Sequence, residues 1–91
     1  MMICKRIIIT GRVQGVYFRA SAREKALALG ITGTVRNLPD GSVEVVACGT
    51  AEQVRDMIAW CHEGPRGARV DEVSVNDREM EVFEGFRVVR G

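Results

Sequence analysis

The chain has 91 residues, 46% of them apolar and 27% charged, with a formal net charge of +1. That length suits one small domain, expected over residues 1–91, without room for a second domain or a buried dinucleotide. The near-neutral balance excludes long-range attraction to a polyanion, and no apolar stretch approaches the ~20 residues of a membrane span.

The chain opens with "MMICKRIIIT", residues 1–10. It lacks the long apolar region and small-residue cleavage site of a signal peptide. A cytoplasmic location is therefore expected. Ile3 to Val13 reads as a strand, led by the β-branched Ile7, Ile8 and Ile9. Ala20 to Leu29 reads as a helix, with Ala22, Ala26 and Leu29 at helical spacing. Gly30 stands where a left-handed cap belongs. Ile31 to Asn37 reads as a second strand. "NLPDGS", residues 37–42, is a turn in which Pro, Asp and Gly each contribute a turn preference. Ser42 to Cys48 returns as the other arm of a hairpin, with Val43, Val45 and Ala47 on one side.

Thr50 to Gln53, "TAEQ", forms a capping box: a hydroxyl at the cap and an amide three residues on. Val54, Met57, Ile58 and Cys61 follow at i, i+3, i+4 and i+7, the clearest helical stripe in the chain. "EGPRGA" breaks it. Val70 to Asn76 alternates as a strand, and Phe86 to Val89 closes the chain as a short one.

The order is β-α-β-β-α-β with an extra short strand. Right-handed crossovers favour an α+β, ferredoxin-like arrangement. The predicted sheet is antiparallel, ordered 4-1-3-2, with both helices on one face. Alternation sends Ile7, Ile9, Val13, Ile31, Val35, Val43, Val45, Val73 and Val75 toward the helices. Thr10, Arg12, Thr34, Arg36, Glu44, Glu72 and Ser74 face away, so the open face is expected to be polar and mixed in sign. The first and third strands are neighbours running opposite ways, which brings Cys4 near Cys48. A disulfide there is geometrically possible, and a cytoplasmic location argues against it.

"GRVQGVYFR", residues 11–19, leaves the first strand and enters the first helix. Main-chain N–H groups at such a start lack intrahelical partners and sit at the positive end of the helix dipole. They can bind an anion. Gly15 lets main chain approach a ligand, and Arg19 adds a guanidinium fork for two phosphate oxygens. The spacing fits neither a Walker loop nor a dinucleotide fingerprint. Taken alone, the loop reads equally as a glycine-rich corner. Asn37 ends the second strand, which runs parallel to the first, so both finish at one edge of the sheet. Its carboxamide could hold a water near the loop, or merely open the turn.

Together, "GRVQGVYFR" and "GTVRNLPDGSVEVVACG" (residues 33–49) resemble the paired signatures of the acylphosphatase family. The chain length, the element order, "EGPRGARVDEV" and the terminal "FRVV" are similar too. The resemblance implies hydrolysis of an acyl phosphate to a carboxylate and inorganic phosphate. Arg19 matches the family's phosphoryl-binding arginine, and Asn37 matches the asparagine that positions the attacking water. Gln14, Gly15, Val16, Tyr17 and Phe18 match the phosphate cradle. No metal or organic cofactor is implied. Thr34 departs from the family, which usually carries an aromatic residue there; a local packing effect is expected.

Acyl phosphate transfer needs positioning and charge stabilisation more than a strong base, and the loop offers no obvious nucleophile. His62, at the end of the second helix, lacks partners at ligand or base spacing and reads as structural or solvated. Three cysteines without a C-x-x-C pair make no zinc site. The same topology serves binding modules. RNA recognition would want stacked aromatics on the central strands, which present Thr10, Arg12, Glu44 and Val46 instead. A regulatory domain that binds phosphate without turnover is the alternative class. Expected partners are a small acyl phosphate substrate and phosphate or sulfate as ligand, with no nucleic acid and no membrane. The mixed polar open face favours a monomer.

Overall fold

β-Branched residues open the chain and give its longest strand, β1 (Met2–Arg12). Such side chains are stiff at χ1 and pack well on a pleated surface. The computed structural model describes residues 1–90. After β1 come α1 (Phe18–Leu29), β2 (Thr32–Asn37), β3 (Val43–Thr50), α2 (Ala51–Glu63), β4 (Arg69–Arg78) and β5 (Phe86–Val89). This is the predicted order, and the fold is ferredoxin-like α+β. The capping box of α2 forms in full: Gln53 N–H donates to Thr50 Oγ1 at 3.1 Å, and Thr50 N–H donates to Gln53 Oε1 at 2.9 Å.

The sheet runs β4-β1-β3-β2-β5, which contains the predicted 4-1-3-2 order. One expectation needs correction. The sheet is mixed, because β5 pairs with β2 in parallel, Val35 opposite Val88. The cause lies in where β4 ends. Arg78 sits opposite Cys4 at the start of β1. Cys4 lies opposite Cys48, and Cys48 opposite Thr32 at the start of β2. The linker of residues 79–85 therefore has only to pass along that end of the sheet. β5 then begins beside the start of β2 and runs the same way.

The core lies between the sheet and the helices. Ile7, Ile9, Val35, Val43 and Val45 are wholly buried against Ala22, Ala26, Met57 and Cys61. Burying each large aliphatic side chain contributes roughly 1.5–3 kcal/mol. Val73 packs only partly against this core, and Val75, expected to face the helices, is 39% exposed. β4 is an edge strand, where helix cover runs out. A register shift between Thr10 and Gly11 also sets Val70, rather than Asp71, opposite Gly11. Val70 thereby takes the inward place and packs on the core.

The open face corrects a second expectation. Its polar part is as predicted: Glu44 is only 6% exposed, between Arg6 Nε at 2.6 Å and Arg36 Nε at 2.8 Å. Beside that triad, however, Cys4, Val46 and Cys48 form a buried apolar cluster under Phe83 of the linker. Cys4 and Cys48 are bonded as a disulfide. Alternation alone could not reveal this cluster, since the residue that covers it comes from a distant linker.

Candidate active site

The loop between β1 and α1 is anchored by its apolar residues. Val13 is buried, Val16 packs against the core, and Phe18 is 2% exposed with its ring 5.3 Å from that of Trp60. Between these anchors the main chain alternates in hand. Gly15 (φ 76°) and Tyr17 (φ 61°) are left-handed, while Gln14, Val16 and Phe18 are not. Alternating hands turn successive N–H groups toward one side, the geometry of an anion nest. A tyrosine in the left-handed region costs roughly 1–2 kcal/mol, so this conformation is held by the packing on either side.

The two helix starts differ in a way that bears on function. α2 closes its own first turn with Thr50 and Gln53 and carries Glu52 there. α1 has no side-chain cap and no acidic residue in its first turn. Its orphan N–H groups and its dipole are left for something else to satisfy.

Gly15, Tyr17, Phe18 and Arg19 line a cavity of about 460 Å³ together with Asn37, Val88 and Arg90. Arg19 and Asn37, predicted as a pair, are thus brought together. Asn37 arrives at the end of β2 opposite Val43, on the same side as the buried Val35 two residues before it. The turn that follows is closed by side-chain hydrogen bonds. Asp40 Oδ1 accepts from the Ser42 N–H at 2.9 Å and from its hydroxyl at 2.5 Å. Those hydrogen bonds, the hydroxyl's first, hold the Asp40 carboxyl below its ordinary pKa.

Gln14 and Val16 stand apart from the cavity lining. Gln14 Nε2 donates to the carbonyls of Leu38 and Ser42, both at 2.9 Å, joining the loop to the β2–β3 turn. Val16 faces the core. Sequence reasoning missed Val88 and Arg90. The signal for them was the parallel pairing of β5 with β2, which brings the end of β5 to the edge that carries Asn37. His62 is exposed in the last turn of α2, away from the cavity. Cys61 is buried, and desolvation pushes its thiol up to about 12. Thr34 lies on the open face, in a groove shared with Phe83 and Arg87.

Among the described residues, no three His, Cys, Asp or Glu side chains gather as metal ligands. The charged residues of the cavity lining are the two arginines, Arg19 and Arg90. Fixed cations, open main-chain donors and one carboxamide suit a tetrahedral oxyanion with a water beside it.

Comparison with known proteins gives a consistent result. The family model described as Acylphosphatase matches residues 5–88. An acylphosphatase of Nostoc sp. is 51% identical over 89 residues, covering 98% of this chain and 88% of the relative. One from Methylococcus capsulatus is 55% identical over 87 residues, covering 92% of each chain. The solved structure of an acylphosphatase from Coxiella burnetii superposes with a TM-score of 0.93 at 41% identity, over 97% of this chain and 93% of that one.

Proposed function

The chain belongs to the acylphosphatase family and hydrolyses acyl phosphates, and from that premise we propose how its residues share the work. Arg19 and the N–H groups of Gly15 to Phe18 hold the phosphoryl oxygens, and Asn37 aims the attacking water. The observation that carries this reading is the shared cavity of Arg19, Asn37 and the uncapped start of α1.

Water attacks phosphorus as the bond to the acyl oxygen breaks. The electron pair leaves with the carboxylate, and one water proton passes to a phosphoryl oxygen. An acyl phosphate dianion and water thus become a carboxylate and a dihydrogen phosphate. The leaving carboxylate is a weak base and needs little help from an acid. Charge spreads over the three peripheral oxygens in the loose transition state, where preformed donors act most strongly. Gln14 supports both halves of the site by holding the loop against the β2–β3 turn.

The same reading takes residues 1–91 as one catalytic domain acting as a cytoplasmic monomer, with phosphate or sulfate as ligand. A radius of gyration of 11.7 Å matches the ~12 Å expected of one compact domain of this length. No helix among the described residues is long and apolar enough to cross a membrane. The disulfide lies under Phe83 with Cys4 and Cys48 at most 3% exposed, and access governs the rate of thiol exchange. Burial slows its reduction, while the bond itself weighs against a reducing compartment.

The test is hydrolysis of a simple aromatic acyl phosphate by wild type, Arg19→Lys and Asn37→Ala, with a chelator present. Each variant should stay folded and lose about 10²–10³-fold in turnover. Turnover unaffected by both changes would sink the residue assignment.

A further inference from the structure

The last paired position of β5 sets Val89 opposite Arg36. Arg90 therefore stands one step further on, beside Asn37. Alternation turns both to the helix side of the sheet, and both line the cavity with Arg19. The two walls that carry the arginines are tied together, since Arg23 Nε of α1 donates to the carbonyl of Phe86 at the root of β5 at 3.1 Å.

We propose that Arg90 is a second cation for the phosphoryl group, reaching it from the β5 wall while Arg19 and the loop N–H groups hold it from the α1 wall. The proposal rests on reading this cavity as the phosphoryl site. A phosphoryl dianion presents three peripheral oxygens, and one guanidinium fork grips two of them. A second cation beside the attacking water matches charge that the first leaves unmet. Lys5, Arg6, Arg36, Arg55, Arg69 and Arg78 are paired with carboxylates. Among the described residues Arg90 makes no such pair, nor do Arg12, Arg19, Arg23, Lys25, Arg66 and Arg87; of these seven, Arg19 and Arg90 line the cavity, and no Asp or Glu lines it. Arg87 provides an internal control. It lies on the same strand but opens to the groove of Thr34 and Phe83 on the other face.

The experiment measures kcat/KM on an aromatic acyl phosphate, a short aliphatic one and one bearing a carboxylate on its acyl group. Inhibition by inorganic phosphate is measured alongside, in wild type, Arg90→Met, Arg90→Lys, Arg87→Met and Arg19→Lys. Arg90→Met should lower kcat/KM about tenfold or more on all three substrates and weaken phosphate inhibition by a similar factor. Arg90→Lys should recover part of both, and Arg87→Met should match wild type. Wild-type kinetics and inhibition in Arg90→Met, beside an inactive Arg19→Lys, would overturn the role of Arg90 and leave the reading of the cavity standing. Full activity in Arg19→Lys would remove that reading itself. Equal losses in Arg87→Met and Arg90→Met would reduce the effect to net charge. A loss confined to the carboxylate-bearing substrate would assign Arg90 to the acyl end. Either result overturns the proposal.

Discussion

Gln14 is bound to Leu38: its side-chain amide donates to the Leu38 carbonyl at 2.9 Å, and reaches the Ser42 carbonyl at the same distance. One side chain thus ties the loop that leads into α1 and Arg19 to the turn that follows Asn37. Catalysis by positioning is sensitive to such links, because a displacement of ~1 Å can cost about 10²-fold.

Replacing that amide should separate activity from stability. In Gln14→Leu both carbonyls keep a main-chain partner, Gly41 N–H on Leu38 and Leu38 N–H on Ser42. Stability should fall by only about 1 kcal/mol, while kcat/KM drops about 10–100-fold. Thermal unfolding and steady-state kinetics on the same samples check this. Wild-type kcat/KM would show that the two halves of the site hold their places without the link.

Two glycines should respond very differently to alanine. Gly15 is left-handed at φ 76°, and an added Cβ would meet nothing within 4 Å. Gly15→Ala should cost about 1–2 kcal/mol from main-chain conformation alone and weaken phosphate inhibition. Gly33, by contrast, would drive a Cβ into the main-chain carbonyl of Val46 in the adjacent strand. Main chain cannot move aside, so Gly33→Ala should lose more than about 3 kcal/mol. Urea titration of both variants decides, and equal losses would contradict the account.

Glu44 should make stability fall in acid. Burial alone would raise its pKa, but hydrogen bonds from Arg36 and Arg6, with their charges, override this and leave it below the ordinary 4.5. A depressed folded pKa stabilises the fold above the unfolded value, and that contribution is lost as pH falls through the folded one. The melting-temperature gap between wild type and Glu44→Gln should therefore hold steady well above pH 4.5 and shrink below it. A gap independent of pH down to strongly acidic conditions would show that the carboxylate's charge adds nothing.

Thiol counting tests the cysteine assignments. The chain has three cysteines, with Cys4 and Cys48 bonded and Cys61 buried. Thiolate is the reactive form, and burial pushes Cys61 up to about 12. Native protein should give no reactive thiol, denatured protein one, and denatured, reduced protein three. The disulfide spans 44 residues, so chain entropy assigns it about 4 kcal/mol. Reduction should lower the melting temperature by roughly 15 °C or more. An unchanged melting temperature would mean that the cluster under Phe83 holds β1 to β3 without it.

Much of this was legible before any coordinates. Thr50 and Gln53 announced α2 because a capping box is a local hydrogen-bond exchange. Alternating Ile7 and Ile9, or Val43 and Val45, announced their buried face because a strand has period two. Arg19 and Asn37 could be set at one edge because the crossover makes β1 and β2 parallel. The apolar cluster on the open face was not legible, since Phe83 covers it from a linker whose path no periodicity records. The exposure of Val75 was hidden as well, because alternation does not say that helix cover runs out over the edge strand β4, and the inward place of Val70 was hidden behind a one-residue register shift at Thr10 and Gly11.

By itself the sequence determined the elements, the inward face of the central strands, and the two stretches that carry Arg19 and Asn37. Each of these depends on residues a few positions apart, where spacing and capping chemistry act directly. Tertiary structure alone decided that β5 runs parallel to β2, bringing Arg90 to the cavity. It also decided that Gln14 turns from the cavity to the carbonyls of Leu38 and Ser42, and that Tyr17 is held left-handed between buried Val13 and Phe18. These depend on contacts between segments far apart in the chain, and such contacts exist only once the core has brought those segments together.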